Sequence, residues 1–529
     1  MIVFPRLLFA QDNGKPIDQR IEEGFKPIAD FIYWLIFYPV SFGDYQMPIV
    51  VLILILGGFF FTLYYKFANV RLVNVAINAT RGKYDTVDAN FEEVDSPGGE
   101  ILKTATKEKV HGEVTHFQAL TAALSATVGL GNIAGVSIAI AMGGPGAMIW
   151  MIVAGLIGMS TKIGEATLGV KYREVDEEGK TYGGPMYYLR NGLAQSNLAW
   201  LGKILAGIFA ICVIGGSLGS GNMFQSNQAA SQFQLLFNLE SGFWFGVAIA
   251  FIVGLVIIGG IKRIGKVTER IVPFMAIIYV GAALIILIVN YNLIPGAFGL
   301  IWEGAFNPSS AMGGFIGVMI VGFQRGAFSN EAGVGSSAIA HSAVRTRFPA
   351  SEGLVASIGP FVDTVVICTM TALVIIITNY KHNLFDYANF DQSGNVIINT
   401  TGESLGGVDL TSVAFESAIP HFSVILTFAV ILFAISTMIS WSYYGIQGWK
   451  YLFGKSRASD LSFKALFLTF TVIGAATSME SVVLFADAML FAMVFPNIIG
   501  LMILAPQVKN EISRYLKVVR TIKLTRKKE

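Results

Sequence analysis

Apolar residues in this chain come in long runs separated by shorter polar connections, rather than alternating or forming one stripe against a polar face. A helix crossing a bilayer needs about 20 mostly apolar residues, because each adds about 1.5 Å across a core about 30 Å thick. Eleven runs are predicted to span: 47–66, 116–142, 146–170, 204–227, 243–261, 271–290, 312–340, 353–378, 422–445, 466–479 and 483–505. The tenth is short. An aromatic stretch at 28–41 is too short to span and reads as an interfacial helix, with Tyr33, Trp34 and Tyr38 at headgroup depth. Met1 to Gln11 faintly resembles a signal sequence, but its apolar run is short. The polar connections 84–112 and 379–420 lack strong helical periodicity.

Composition agrees with the spans: 54% of the 529 residues are hydrophobic and 14% charged, against about 25% charged in soluble chains. This is an all-α polytopic membrane protein, with the lipid bilayer as its main partner. A net charge of +2 excludes a nucleic-acid binder acting through bulk charge. Cys212 and Cys368 both lie in apolar runs, which excludes a disulfide framework or cysteine zinc site. Thirty lysines and arginines fall in 66–115, 171–203, 262–270, 341–351, 446–465 and 509–529, whereas the alternate connections between spans hold only Lys381. The basic side is therefore expected to be cytoplasmic, with the N-terminus outside and the C-terminus inside.

Glycine and polar residues interrupt two spans at mid-depth. The second reads Ala126-Thr127-Val128-Gly129-Leu130-Gly131-Asn132; the seventh carries Gly322-Phe323-Gln324-Arg325-Gly326 and continues through Asn330, Glu331 and Gly333. Glycine in a helix interior costs about 1 kcal/mol relative to alanine, and irregular backbone at that depth is tolerated only against protein or a watery cavity. Close helix packing is the alternative use of such glycines. With 47–66 (after the external 1–46) as an extra helix, and 67–115 as a cytoplasmic connection, ten spans remain. They divide into two sets of five, 116–290 and 312–505, before a basic tail at 506–529. A break opens each set, and an odd number of spans turns the sets upside down relative to each other, the inverted-repeat design of secondary transporters. Free N–H groups at 129–131 would suit a carboxylate, and free carbonyls near Gly322-Phe323 an ammonium or sodium ion. Together they suit a zwitterion.

Eight stretches then resemble one family: 117–121 (FQALT), 127–136 (TVGLGNIAGV), 139–147 (AIAMGGPGA), 165–173 (EATLGVKYR), 183–188 (GGPMYY), 328–336 (FSNEAGVGS), 359–364 (GPFVDT) and 441–445 (WSYYG). By these the chain resembles the alanine/glycine:cation symporter (sodium:alanine symporter) family from about 28 to 505. The resemblance implies a LeuT-type 5+5 inverted repeat with broken first and sixth core helices, plus one extra N-terminal transmembrane helix. It also implies Na⁺-coupled movement of a small neutral amino acid (H⁺ in some members) and the inner membrane of a bacterium, with no other cofactor. Carried over, Thr127, Gly129, Leu130, Gly131 and Asn132 form the unwound substrate segment, with Phe323 and Gln324 at the second break. Phe224 and Asn227 would face the site from the third core helix, and Thr437 and Trp441 from the eighth. Sodium would take the carbonyls of Ser125, Val128 and Phe433 with the hydroxyls of Ser436 and Thr437; the alternative is that those hydroxyls bond back to their own helix. Many members carry threonine at the position of Leu130, so here the resemblance implies a pocket without that hydroxyl contact.

Ionisable groups in the spans are functional candidates. Lys162 and Glu165 are expected to form an ion pair. Arg325 and Glu331 flank the second break, as a pair or as coupling residues. Asp363 is the candidate cation or proton partner, and with Asn132 a weaker candidate for a second sodium site. An enzyme is not expected: the five histidines show no metal spacing, and Gly260 to Val267 misses the hydroxyl a phosphate loop needs, with Val267 in that place. The competing expectations are an H⁺-coupled or broader-specificity amino-acid transporter, and a channel, which would need one continuous polar path and no inverted repeat.

Overall fold

A computed structural model describes residues 16–42, 45–84, 112–177, 179–307, 314–391 and 394–525. The polar segment 84–112 lies almost wholly outside them, as does Met1 to Gln11. The amphipathic helix α1 (Ile17–Ile36) and a hairpin of β1 (Pro39–Phe42) and β2 (Tyr45–Pro48) lead into α2 (Ile49–Tyr64). Next come α3 (His116–Thr127), α4 (Ala134–Gly143), α5 (Ala147–Lys171), α6 (Ala199–Phe237), α7 (Phe243–Ile257), α8 (Gly260–Val289) and α9 (Ile294–Phe306). The second part holds α10 (Gly314–Asn330), α11 (Ser337–His341), α12 (Pro349–His382), α13 (Gly407–Ala418), α14 (Phe422–Phe453), α15 (Arg457–Ala476), α16 (Met479–Ala492) and α17 (Val494–Thr525).

Among the described residues seven helical stretches are long and apolar enough to cross a membrane, or eight when α3 and α4 count as one broken span. Three others expected to span are shorter: α2 has 16 residues, α7 has 15 and α10 has 17. The tenth run begins earlier than expected, at Arg457, because the Ser456 hydroxyl accepts from Ser459 N and caps the helix there. The described part of the basic segment is helical: α17 runs on to Thr525, and Lys171 pairs with Glu511 at 2.7 Å.

The N-terminal helix is longer than the aromatic stretch suggested. Trp34 and Tyr38 are exposed on it and just beyond it, while Phe25 packs edge-on against Phe485 of α16 at 5.1 Å. Its acidic residues cap other helices. Asp18 accepts from Gly242 N at the start of α7, and Glu22 accepts from Ser478 N and from Ser478 and Ser481 Oγ at the start of α16, each negative charge meeting a positive helix end. The connection 379–420 folds into a three-stranded sheet, β3 (Phe385–Phe390), β4 (Val396–Ile398) and β5 (Ser404–Leu405), followed by α13. It covers α4: Thr411 Oγ1 donates to Ile133 O at 3.3 Å, and Ser137 Oγ donates to Gly407 O.

At the opposite, basic end the segments preceding α3 and following α11 are joined by a parallel bridge between Val114 and Val344. Arg173 donates to the carbonyls of Ser342, Val344 and Thr346. His116 and His341 meet the two oxygens of Glu352, all three side chains being buried. The histidines that looked scattered in sequence thus include one converging pair, held by a carboxylate. Among the described residues no His/Cys/Asp/Glu group has the geometry for a metal.

Candidate functional site

The first break lies where expected. After α3 the chain turns through Val128 and Gly129, makes one 3₁₀ turn at Leu130–Asn132, and resumes as α4 at 60° to α3. Asn132 causes and caps the turn: its Oδ1 accepts from Gly129 N at 2.9 Å, the N–H that a continuing helix would give to Ser125 O. Asn132 N goes to Gly129 O at 3.2 Å instead of to Val128 O. The carbonyls of Ser125 and Val128 thereby leave the helical pattern, and in a dry interior they need other partners.

Helix α14 brings hydroxyls to that point. Ser125 Oγ lies 2.9 Å from Ser436 Oγ and 2.9 Å from Ser440 Oγ. Thr437 Oγ1 is buried with no hydrogen-bond partner, and a Cβ placed on Gly129 would overlap it. Any side chain at 129 would thus occupy this oxygen's space. Ser440 was not singled out in the sequence, although it stands one turn after Ser436 on the same face. Phe433 is buried with its ring edge-on to Tyr279 at 5.9 Å. The cluster holds oxygens and no charged side chain.

Around the first break, Leu130 N donates to Gln225 Oε1 at 3.3 Å, and a Cβ on Gly131 would lie 3.5 Å from the Phe328 ring. Phe224 meets Phe328 edge-on at 5.1 Å, both buried. Thr127, also buried, lines a small cavity with Lys162, Asn330 and Ser337. Asn227 is turned elsewhere. Its Nδ2 donates to Gly474 O at 3.1 Å and Thr477 O at 2.8 Å, so it ties α6 to the end of α15 rather than facing the break; Gln225, two residues earlier, is the amide that does.

The second break lies lower than expected. Helix α10 continues through Gly322 to Asn330, and the chain unwinds at 331–336, where Glu331 (φ 57°), Gly333 (φ 90°) and Gly335 (φ 89°) are left-handed. Gly322 and Gly326 serve packing: a Cβ on Gly322 would stand 2.5 Å from Ala147 O, and one on Gly326 3.0 Å from Ala154 Cβ, both on α5. Phe323 and Gln324 are therefore helical residues. Phe323 packs on Trp150 of α5 at 6.1 Å, and Gln324 Nε2 donates to Asp487 Oδ2 of α16 at 2.9 Å.

Side chains satisfy the unwound backbone. Glu165 accepts from Gly333 N at 2.9 Å, from Asn497 Nδ2 at 2.9 Å and from Ser337 Oγ at 3.3 Å. These contacts turn Glu165 toward α11, with the Lys162 charge near enough to act on the same carboxylate but making no hydrogen bond to it. Arg325 pairs with Asp487 of α16, not with Glu331, and its guanidinium lies 5.3 Å from the Phe328 ring. Glu331 accepts from Ser336 Oγ and from Trp441 Nε1, the latter at 3.1 Å. The indole of α14 is thus attached to the second break while Thr437, one turn before it, presses on the first.

A buried network joins the two breaks. Asn132 Nδ2 donates to Ser329 Oγ at 3.0 Å, and Ser329 Oγ donates to Asp363 Oδ1 at 2.7 Å, in a π-helical stretch of α12 at Phe361–Cys368. Thr364 Oγ1 donates to the same oxygen at 2.8 Å. Asp363 Oδ2 is buried and has no hydrogen-bond partner.

The sodium:alanine symporter family model matches residues 40–529. The sodium/alanine symporter AgcS of Methanococcus maripaludis is 39% identical over 464 residues, 87% of this chain and 92% of that protein. The probable sodium/glutamine symporter GlnT of Bacillus subtilis is 30% identical over 502 residues, 94% of this chain and 91% of its own. The sodium/proton-dependent alanine carrier protein of Bacillus sp. strain PS3 is 31% identical over 395 residues, 74% and 85% of the two chains. Among solved structures, MhsT in complex with L-phenylalanine covers 76% of this chain and 99% of its own at 14% identity and a TM-score of 0.46, a likeness too distant to inform the site. A match over nearly the whole chain, around a bundle of apolar helices broken at two buried points, places this multi-pass membrane protein in the sodium:alanine symporter family.

Proposed function

We propose that this protein is a secondary active transporter that carries a small neutral amino acid, alanine or glycine, together with Na⁺ by alternating access. The observation that carries the reading is the uncharged oxygen cluster at the first break. There the Ser125 hydroxyl lies beside those of Ser436 and Ser440, the Thr437 oxygen is unpartnered, and the turn takes Gly129 N and Asn132 N away from the carbonyls of Ser125 and Val128. Such oxygens suit a hard monovalent cation that must shed water. Above it, the Gly131 N–H, joined by that of Leu130 once it leaves Gln225, donates to the substrate carboxylate, and the crowding of Phe224, Phe328 and Trp441 around the breaks favours a short side chain. The membrane is the bacterial inner membrane, with the basic connections and the C-terminus in the cytoplasm and the N-terminus outside. The ten expected spans after α2 are read as two inverted sets of five, each opened by a broken helix.

In the cycle, Na⁺ at the Ser125/Val128/Ser436/Thr437 site stiffens the first break and forms the amino-acid site from outside. Closure over both ligands is followed by opening at the basic end, where the Val114–Val344 bridge and the His116–Glu352–His341 cluster must part. Because the sites adjoin, each ligand must tighten the other by the same factor. Alanine binding by calorimetry tests this: affinity should be markedly higher in Na⁺ than in K⁺, and equal affinity in both would refute the linkage.

Proton coupling is the second reading, favoured by the unpartnered Asp363 Oδ2 in the network that joins the two breaks. Uptake driven by a pH gradient without Na⁺, and lost in Asp363→Asn, would establish it. On size selection, Trp441→Ala is expected to widen the accepted range, so that leucine and methionine compete with alanine. A mutant that still rejects both would contradict the pocket assignment.

A further inference from the structure

Helix α6 contains a five-residue π-turn, Gly219–Met223, whose residues are all buried. Turns of this kind widen a helix and are costly enough to be kept mainly where they serve a site. This one touches both breaks. On one side the Ser220 carbonyl accepts from Gln225 Nε2 at 3.0 Å, and the same amide's Oε1 receives Leu130 N of the first break at 3.3 Å. On another, Gly221 lies under Trp441: a Cβ there would stand 2.6 Å from the indole Cδ2 and nearer still to Cγ and Cβ. The indole's Nε1 in turn donates to Glu331 of the second break at 3.1 Å.

The two helices have no slack to absorb an added methyl. Further along the seam, a Cβ on Gly445 would overlap Ser217 Oγ, and one on Gly448 would overlap Val213 Cγ1 and come within 2.9 Å of Ala210 O. From the other side Asn222, next to Gly221, holds α6 to α15: its Nδ2 donates to Phe467 O at 2.6 Å, and its Oδ1 accepts from Thr471 Oγ1 at 2.8 Å. Because the nearest atoms, Trp441 Cγ and Cβ, do not leave when the ring turns, and α6 is held to α15, the added methyl has to push α14 outward at Trp441 and carry the indole with it.

We propose that Gly221 is a positioning residue for substrate size, its missing side chain being the space that lets Trp441 lie back against α6 and leave the amino-acid side chain its room. The inference rests on the substrate site placed above between the two breaks. A methyl at 221 drives the indole away from α6 and toward the breaks, which narrows the site for alanine before it affects glycine.

The test is labelled alanine and glycine uptake into proteoliposomes under an inward Na⁺ gradient, for wild type, Gly221→Ala and Gly221→Ala/Trp441→Phe. In Gly221→Ala the KM for alanine should rise about ten-fold relative to that for glycine, the scale on which one methylene is discriminated in an apolar pocket. The smaller ring of the double variant should restore the ratio. An unchanged alanine-to-glycine ratio in Gly221→Ala, or a shift that Trp441→Phe does not reverse, overturns the proposal. Should Gly221→Ala yield no folded protein, the double variant is compared with Trp441→Phe alone, which keeps the Cβ and Cγ that face residue 221. A higher alanine-to-glycine KM ratio in the double variant supports the proposal, and an equal ratio overturns it. Failure of the wild type to take up either amino acid would instead overturn the substrate assignment on which the inference rests.

Discussion

Arg325→Ala should produce the largest loss of stability of any single change at the breaks, about 3–5 kcal/mol, because it leaves a buried carboxylate without its cation. Arg325 and Asp487 are 4% and 2% exposed, so water cannot substitute for the missing guanidinium. Only Gln324 Nε2, at 2.9 Å, would remain on Asp487 Oδ2. The pair also fixes the broken helix α10 against α16, and the guanidinium lies over Phe328, whose ring borders Gly131 at the first break. Transport should fall together with stability. Replacing both partners by Arg325→Leu/Asp487→Leu should cost less than the single change, since no charge is then stranded. Thermal unfolding of the purified protein in detergent reads the difference. A single variant as stable as wild type, or a double variant less stable than the single, would show that the pair does not carry this load.

The second large effect is expected on sodium. Thr437→Val keeps the shape of the side chain and removes its hydroxyl, the oxygen that the folded chain leaves unpartnered beside Gly129. If that oxygen is a Na⁺ ligand, the Na⁺ concentration for half-maximal alanine uptake should rise by about ten-fold, equivalent to about 1.4 kcal/mol. Ser436→Ala should act in the same direction, but less strongly if Ser125 and Ser440 close around the gap. The maximal rate at saturating Na⁺ should change far less than the half-saturation. Unaltered Na⁺ dependence in Thr437→Val would remove this hydroxyl from the site and turn attention to Asp363.

Much of this was legible in the chain because membrane helices punish polar backbone. The first break declared itself through Gly129, Gly131 and Asn132 in the middle of an apolar run, and it lies at those residues. The second did not, because glycine in a helix has two opposite uses that composition cannot separate. Gly322 and Gly326 let α10 approach α5, whereas Gly333 and Gly335, further along the same run, let the chain unwind in left-handed conformations. Phe323 and Gln324 were misplaced with the break for that reason.

Pairings across the bundle were the other gap. Spacing along one helix suggested Lys162 with Glu165, yet Glu165 is taken up by backbone N–H of the break, a partner with no sequence signature. Asp487, a lone carboxylate within the last apolar run, was a signal available in the chain and was missed. Asn227 and Gln225 are two residues apart on one helix, and only the π-turn preceding them decides which one faces the first break.

The most direct test of the account is uptake of labelled alanine into proteoliposomes with an inward Na⁺ gradient, compared with the same vesicles in which K⁺ replaces Na⁺. The account predicts accumulation above equilibrium with the Na⁺ gradient and none with K⁺. Accumulation that ignores Na⁺, or no alanine uptake in either condition, would contradict it.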